Sequence, residues 1–276
     1  MAVEMQRQLM SALPQLRYQP VLKRVRVGLG DDVVADTRRS VLVWEPMRIV
    51  PSYAVPLADV QARVEPAAAG PAPEYRPVGF GGERPALLDP SVPFAVHTAT
   101  GEPQDVTTDA AGRPAAAFRL RDDDLDGYVI LDFDAFEWRE EDEPIVGHPR
   151  DPFHRIDVRA SSSVVRIEHE GRLLAESNRP HLLFEGAFPI VRYYVPPEDV
   201  VVELRPGTRR TTCAYKGHAT HHHAAVDGRE LTDIAWSYPD PLDDALAVRG
   251  LICFYHERLD VWLDGEPQPR VHTPWS

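Results

Sequence analysis

A thiol, a phenol, a primary amine and four imidazoles fall within thirteen residues, Thr211-Thr-Cys-Ala-Tyr-Lys-Gly-His-Ala-Thr-His-His-His223. Strand alternation would set Thr211, Cys213 and Tyr215 on one face, and Gly217 supplies the positive φ of a tight turn from which Lys216 projects. A lysine over a partly dry pocket binds an anion or, with a lowered pKa, forms an imine with a carbonyl; the plainer reading is a solvated turn lysine. Cys213 is a nucleophile if His218 or His221 lowers its pKa, or else a buried inert thiol. His221 and His223 share a strand face, with His218 or Cys213 as further donors. Two same-face ligands do not make a metal site, so no metal or other cofactor is assigned and the imidazoles are read as lining a pocket or facing water.

Downstream, Trp236-Ser-Tyr-Pro-Asp-Pro241 places Trp236 and Tyr238 on one face of a strand end, where they suit a flat organic ligand or cap their own core. Glu185, Arg179 and the pair Tyr193-Tyr194 add polar groups. Asp132-Phe-Asp134, on an expected strand after the acidic run Asp122 to Asp126, resembles a carboxylate pair for magnesium; an acidic solvent face explains it better.

Composition bounds what these groups can serve. With 43 acidic against 30 basic residues the chain carries a net charge of −13, which repels nucleic acid and anionic lipid and leaves a protein partner on the acidic surface as an option. Hydrophobic residues at 43% permit a core, while 27 prolines in 276 residues disfavour long helices. Only Cys213 and Cys253 are present, and neither a signal peptide nor a spanning helix is apparent, which suits a reducing cytoplasm.

An internal repeat supplies the framework. Residues 25–60 overlie 165–200 without a gap, with eleven identities that include Arg39/Arg179, Glu45/Glu185, Tyr53/Tyr193 and Asp59/Asp199. Gly127 to Pro144 overlies Gly250 to Pro267 at an offset of 123, so the first copy holds 17 extra residues, beside a loop over 66–103 with eight prolines. The boundary is expected near residue 155, with a degenerate first domain (1–155) lacking a counterpart of the Lys216 segment and a complete second one (156–276). Charged residues common to both copies, Arg39 and Glu45 among them, are expected to pair and hold the fold.

Alternating apolar residues with regular turns predict antiparallel β domains. In the second copy strands are expected at Val164 to Glu168, Leu173 to Glu176, His181 to Phe184, Val200 to Leu204, Thr211 to Tyr215, Ala219 to Val226, Thr232 to Ser237, Leu251 to Tyr255 and Asp260 to Leu263. Turns are expected at Glu170-Gly171 and Asp227-Gly228. One helix is expected, Val3 to Leu13, with Met5, Leu9 and Leu13 on a single face.

Residues 164–266 resemble the bacterial family catalogued as domain of unknown function 427. The match runs through Glu176-Ser-Asn-Arg179, Leu182-Leu-Phe-Glu185, Tyr194-Val-Pro-Pro-Glu-Asp-Val200, Thr211-Thr-Cys-Ala-Tyr-Lys-Gly-His-Ala219 and Trp236-Ser-Tyr-Pro-Asp-Pro241. The resemblance implies tandem β-tent-like domains of antiparallel sheets without zinc cysteines. The nucleotidyltransferase label sometimes attached to that family lacks support here, because the chain has no Gly-Ser dipeptide. Ala214 replaces a usual proline, and His221-His222 stand where an aromatic pair is common. The leading expectation is a small-molecule pocket built from Lys216 and Cys213 with Tyr215, Gly217, His221, Trp236 and Tyr238, supported by Arg179 and Glu185, for a planar anionic or carbonyl compound. The rivals are a tandem scaffold without catalysis and magnesium-dependent nucleotidyl transfer at Asp132 and Asp134.

Overall fold

The computed structural model describes residues 2–68, 70, 75, 91–186, 190–271 and 273. They form two compact units that divide between Asp151 and Pro152, each mainly β. In the first, helix α1 (Met5–Ser11) is followed by β1 (Arg17–Pro20), β2 (Val25–Leu29), β3 (Asp32–Thr37), β4 (Val41–Trp44), β5 (Ser52–Pro56) and β6 (Arg63–Pro66). Then come β7 (Gly101–Thr107), β8 (Gly112–Leu120), β9 (Tyr128–Leu131), β10 (Glu137–Glu140) and β11 (Glu143–Pro144). The second unit contains β12 (Ile156–Ala160), β13 (Val165–His169), β14 (Arg172–Ser177), β15 (His181–Glu185), β16 (Val191–Val195) and β17 (Leu204–Cys213). It continues with β18 (Gly217–Val226), β19 (Arg229–Ser237), β20 (Ile252–Phe254), β21 (Asp260–Leu263) and β22 (Glu266–Pro267).

Each unit pairs a seven-stranded with a four-stranded antiparallel sheet, in the same order: β1-β4-β5-β9-β8-β7-β6 corresponds to β12-β15-β16-β20-β19-β18-β17, and β3-β2-β10-β11 to β14-β13-β21-β22. The main core of the second unit lies between its sheets, where Val165, Ile167 and Leu174 of the small sheet meet Tyr193, Val195 and Ala235 of the large one. Because strand side chains alternate, the opposite face of the large sheet carries Tyr194, Trp236 and Cys253. The turns Glu170-Gly171 and Asp227-Gly228 each hold two positive φ angles, 49° and 76° in both cases, the geometry that matches strand twist in a two-residue hairpin.

The repeated charges pair as expected within each unit. Arg39 bonds Asp59, and its counterpart Arg179 bonds Asp199 at 3.1 Å. The backbone N–H groups of Arg39 and Arg179 donate to Thr37 Oγ1 and Ser177 Oγ respectively. These links tie β3 and β14 to the segments holding Asp59 and Asp199.

Some expectations need correction. The helix is shorter than Val3 to Leu13, and its stripe does not seal a core: Met5 and Leu9 are exposed and only Leu13 is buried. Val200 makes an isolated bridge to Ala175 after a single 3-10 turn, so the strand begins at Leu204 rather than Val200. Asp132 to Asp134 form the turn after β9 and are not a strand. Much of the expected loop over 66–103, namely 69, 71–74 and 76–90, lies outside the described residues, while Pro66 and residues 101–103 belong to strands. The first copy retains counterparts of the middle strands β17, β18 and β19 as well as the outer ones, although the sequence there has diverged.

Gly101 opens β7 against β8, where a Cβ would lie 2.4 Å from the Arg119 carbonyl oxygen and 2.5 Å from the Phe118 ring. Gly101→Ala is therefore expected to lower the stability of the first unit by about 1–3 kcal/mol. Urea denaturation followed by circular dichroism checks it; an unchanged first-unit transition would contradict the packing described.

Candidate functional site

The candidate site is the outer face of the second unit's large sheet and the turn that joins β17 to β18. Antiparallel register brings its groups together: Tyr194 on β16 is opposite Cys253 on β20, which is opposite Trp236 on β19, which is opposite His221 on β18. Tyr194, Trp236, Tyr238, Cys253 and Tyr255 form one buried cluster, closed on one side by Ala245 and Val248 of the 3-10 turn Asp243–Val248. Trp236 Nε1 donates to Tyr194 Oη at 3.2 Å, and its ring lies 4.6 Å from that of Tyr255. Burial pushes the Tyr194 and Tyr238 phenols and the Cys253 thiol up, so all three are neutral at physiological pH.

Lys216 enters this cluster from the turn. Strand β17 ends at Cys213, so Tyr215 and Lys216 belong to the turn and Tyr215 does not share a strand face with Thr211 and Cys213. Gly217 follows with φ +91°, and a Cβ there would sit 3.4 Å from Leu242, so glycine suits both the bend and the close packing. The Lys216 side chain is only 10% exposed, and Nζ donates to Glu185 Oε1 at 2.6 Å across 31 residues of sequence. His154 Nε2 lies 3.7 Å from the other Glu185 oxygen, and the His154 ring packs 4.7 Å from Tyr215.

Burial alone would raise the Glu185 pKa, but attraction to Lys216 and His154 outweighs it and holds the carboxyl at about 2. Burial would likewise lower Lys216, and the Glu185 charge outweighs it, so the amine is held above its usual range. Lys216 is therefore a cation locked to a carboxylate, neither the solvated turn lysine nor the lowered-pKa amine that imine chemistry needs. The chain has 30 basic residues of which only two, Lys23 and Lys216, are lysines. A compact ammonium with three rotatable donors stands where this protein elsewhere uses a guanidinium.

The first unit solves the same problem differently. Glu45, the counterpart of Glu185, is 4% exposed and accepts from the backbone N–H groups of Thr98 at 2.7 Å and Ala99 at 2.9 Å, with His97 Nδ1 at 2.9 Å. These contacts, with Arg48 nearby, outweigh burial and hold the carboxyl below its usual value. Register places this segment where the Lys216 turn stands: Gln104 opposite Ala117 corresponds to His222 opposite Ala235, so Thr98 aligns with Lys216. The first copy thus has an equivalent of the Lys216 segment after all, with backbone amides in place of the ammonium. Its sheet face carries Ala54, Phe118 and Ile130 where the second has Tyr194, Trp236 and Cys253. The His97 ring stacks on Phe118 at 3.5 Å.

The other expected residues separate. His221 is 1% exposed on the site face; its Nε2 lies 2.9 Å from Thr211 Oγ1, its Nδ1 has no partner, and burial reinforced by Arg209 lowers its pKa to about 4. His218, His222 and His223 each find their own partner, Thr212, Ser237 and Asp233, and among the described residues no three His, Cys, Asp or Glu side chains converge as a metal set. Cys213 is half-buried, and the deeply buried inert thiol is Cys253 instead. Arg179 is committed to Glu198 and Asp199, and none of its hydrogen bonds reaches the Lys216 cluster. Asp132 is half-buried in its turn, raised by burial, and accepts from the Asp134 N–H at 3.1 Å.

Sequence reasoning missed the second buried ion pair. Arg192 donates twice to Glu257, at 2.8 and 2.7 Å, Thr273 Oγ1 bonds the same carboxylate, and the guanidinium carbon sits 5.3 Å from the Trp236 ring centre. The signal was available where the copies differ at aligned positions: Ser52/Arg192, Ala54/Tyr194 and Ile130/Cys253 are replacements toward groups with chemistry.

The family model described as a domain of unknown function (DUF427) matches residues 157–265. No curated protein matches the chain.

Breaking the Lys216–Glu185 pair leaves a buried charge, so Lys216→Met is expected to cost about 3–5 kcal/mol, most of it recovered in the double variant Lys216→Met/Glu185→Leu. Glu185 contributes stability that is fully present above its ordinary 4.5 and lost as pH falls through about 2, so the double variant has a shallower acid limb. Urea titrations from pH 2 to 7 check both. An equal loss in single and double variants would contradict a charged pair.

Proposed function

Since residues 157–265 belong to the DUF427 family, which brings no activity with it, we propose from the site itself that the second unit binds a small planar anionic or carbonyl compound at the Lys216–Glu185 centre. The observation that carries this reading is the contrast between two sheet faces of identical strand order. The first unit closes its carboxylate with backbone amides and lays Phe118 and Ile130 beside it. The second spends one of two lysines on the corresponding carboxylate, and its sheet face carries Tyr194, Trp236 and Tyr238.

An ammonium has three hydrogens, and Glu185 takes one. The remaining two suit a carboxylate, phosphate or carbonyl oxygen, and the rings suit a flat body. Glu185 keeps the amine charged, so the reading is of electrostatic recognition, with no covalent step assigned. Shared strand order together with the 36-residue sequence match supports duplication of an ancestral domain, of which the later copy kept the binding face. Two free thiols, Cys213 and Cys253, suit a reducing compartment such as the cytoplasm.

Thermal-shift measurements on the full chain, with benzoate, nicotinate, salicylate and phenylpyruvate against glucose as a non-planar neutral control, test the proposal. At least one planar acid is expected to raise Tm in the native protein and in Lys23→Met, and to lose that effect in the folded Lys216→Met/Glu185→Leu variant. No shift with any acid, or an equal shift in the double variant, would count against binding at this centre.

A further inference from the structure

Strand β17 is the outermost strand of the second unit's large sheet, ten residues long, with Thr208 to Thr212 all exposed. An outer strand of that length offers a row of backbone N–H and C=O groups to any extended chain. The counterpart in the first unit, β6, has four residues and ends in Pro66. On β17 the two devices that blunt an edge, Pro206 and the register shift between Pro206 and Arg210, both lie toward its beginning. From Arg210 to Cys213 the pairing with β18 is regular, and Thr211 and Thr212 in this stretch favour the extended form.

The charge on this edge is opposite to that of the chain. Arg209 makes no ion pair among the described residues, and Arg210 bonds only the carbonyl oxygens of Gly207 and Arg209. Adjacent strand residues point to opposite faces, so the two guanidiniums flank the edge on both sides. Their fields reach the imidazoles behind the edge, Arg209 and, more weakly, Arg210 acting on His221, and Arg210 on His222. A second copy of this chain pairing antiparallel about the same stretch would set arginine against arginine, which disfavours self-association.

We infer that the Thr208–Cys213 edge of β17 docks an extended segment of a partner protein by strand addition, and that this segment carries two adjacent acidic residues. Backbone pairing supplies attachment, and the Asp or Glu pair, pointing to opposite faces of the added strand, meets Arg209 on one face and Arg210 on the other. Nucleic acid is the weaker occupant for a chain of net charge −13, since two guanidiniums do not offset that field.

The test uses the full chain and a fluorescein-labelled, capped peptide, Thr-Val-Thr-Glu-Glu-Thr-Val-Thr, read by fluorescence anisotropy up to roughly 1 mM protein. Binding is expected, weakened at least about tenfold by Arg209→Glu/Arg210→Glu at unchanged Tm. N-methylation of alternate peptide nitrogens should abolish binding in one phase of the alternation and spare it in the other, because an added strand pairs along one edge only. Absence of binding, equal binding of the same peptide with Lys-Lys in place of Glu-Glu, or indifference to N-methylation in both phases would overturn the proposal. So would tighter binding of an eight-nucleotide oligothymidylate, or a dimer of the chain disrupted by the same charge reversal.

Discussion

A carboxylate sunk behind the large sheet must be met by a donor, and that requirement shapes each unit of this protein. Glu45 and Glu185 occupy corresponding positions, at the end of β15 in the second unit and just past β4 in the first. Left unpaired, either would impose a penalty of several kcal/mol on a domain whose net stability is of the same order. The chain must therefore deliver donors from the connection that precedes the penultimate strand of the sheet, and both units do so. In the first they are two backbone N–H groups and an imidazole. In the second it is the Lys216 ammonium, with the His154 imidazole nearby from the segment before β12.

That substitution of donor alters what the sheet face can do. Backbone amides pointed at a carboxylate are spent, and the first unit fills the neighbouring space with Ala54, Phe118, Ile130 and the stacked His97 ring. An ammonium retains hydrogens to give, and on the same sheet face the second unit carries phenols, an indole and the Arg192–Glu257 pair. Ionic groups buried this deeply add little net stability over well-packed apolar ones. In the first unit the positions aligned with Arg192, Lys216 and Glu257 hold Ser52, Thr98 and Asp134, while those aligned with Tyr194, Trp236 and Cys253 hold the apolar Ala54, Phe118 and Ile130.

Local structure was legible because its causes are local. The turns at Glu170-Gly171 and Asp227-Gly228, the β-rich pattern and the Arg39–Asp59 and Arg179–Asp199 links follow from residues close in sequence or repeated at a fixed offset. Trp236 and Tyr238 share one cluster, and Lys216 acts on Tyr238 from the turn before β18. Glu185 was named only as a support, although it sets the charge state of Lys216; its 31-residue separation is bridged by strand order, which pattern alone does not fix. Arg192 stood out against Ser52 of the other unit, but its pairing with Glu257, 65 residues away, depends on strand order for the same reason. Arg179 was drawn into the site by its proximity to Glu185 in sequence, whereas its salt bridges belong to the fold. Asp132 and Asp134 looked like a strand pair until the chain turned beneath them.

With only Lys23 and Lys216 in the chain, lysine-selective ¹⁵N labelling yields two side-chain nitrogen signals, and the state of the buried one can be read directly. At neutral pH the Lys216 Nζ should resonate as an ammonium whose hydrogens exchange slowly with water, and the signal should change character in Glu185→Leu. A neutral-amine shift, or an ammonium in rapid exchange like that of an exposed lysine, would contradict a cation locked to Glu185 beneath the aromatic face.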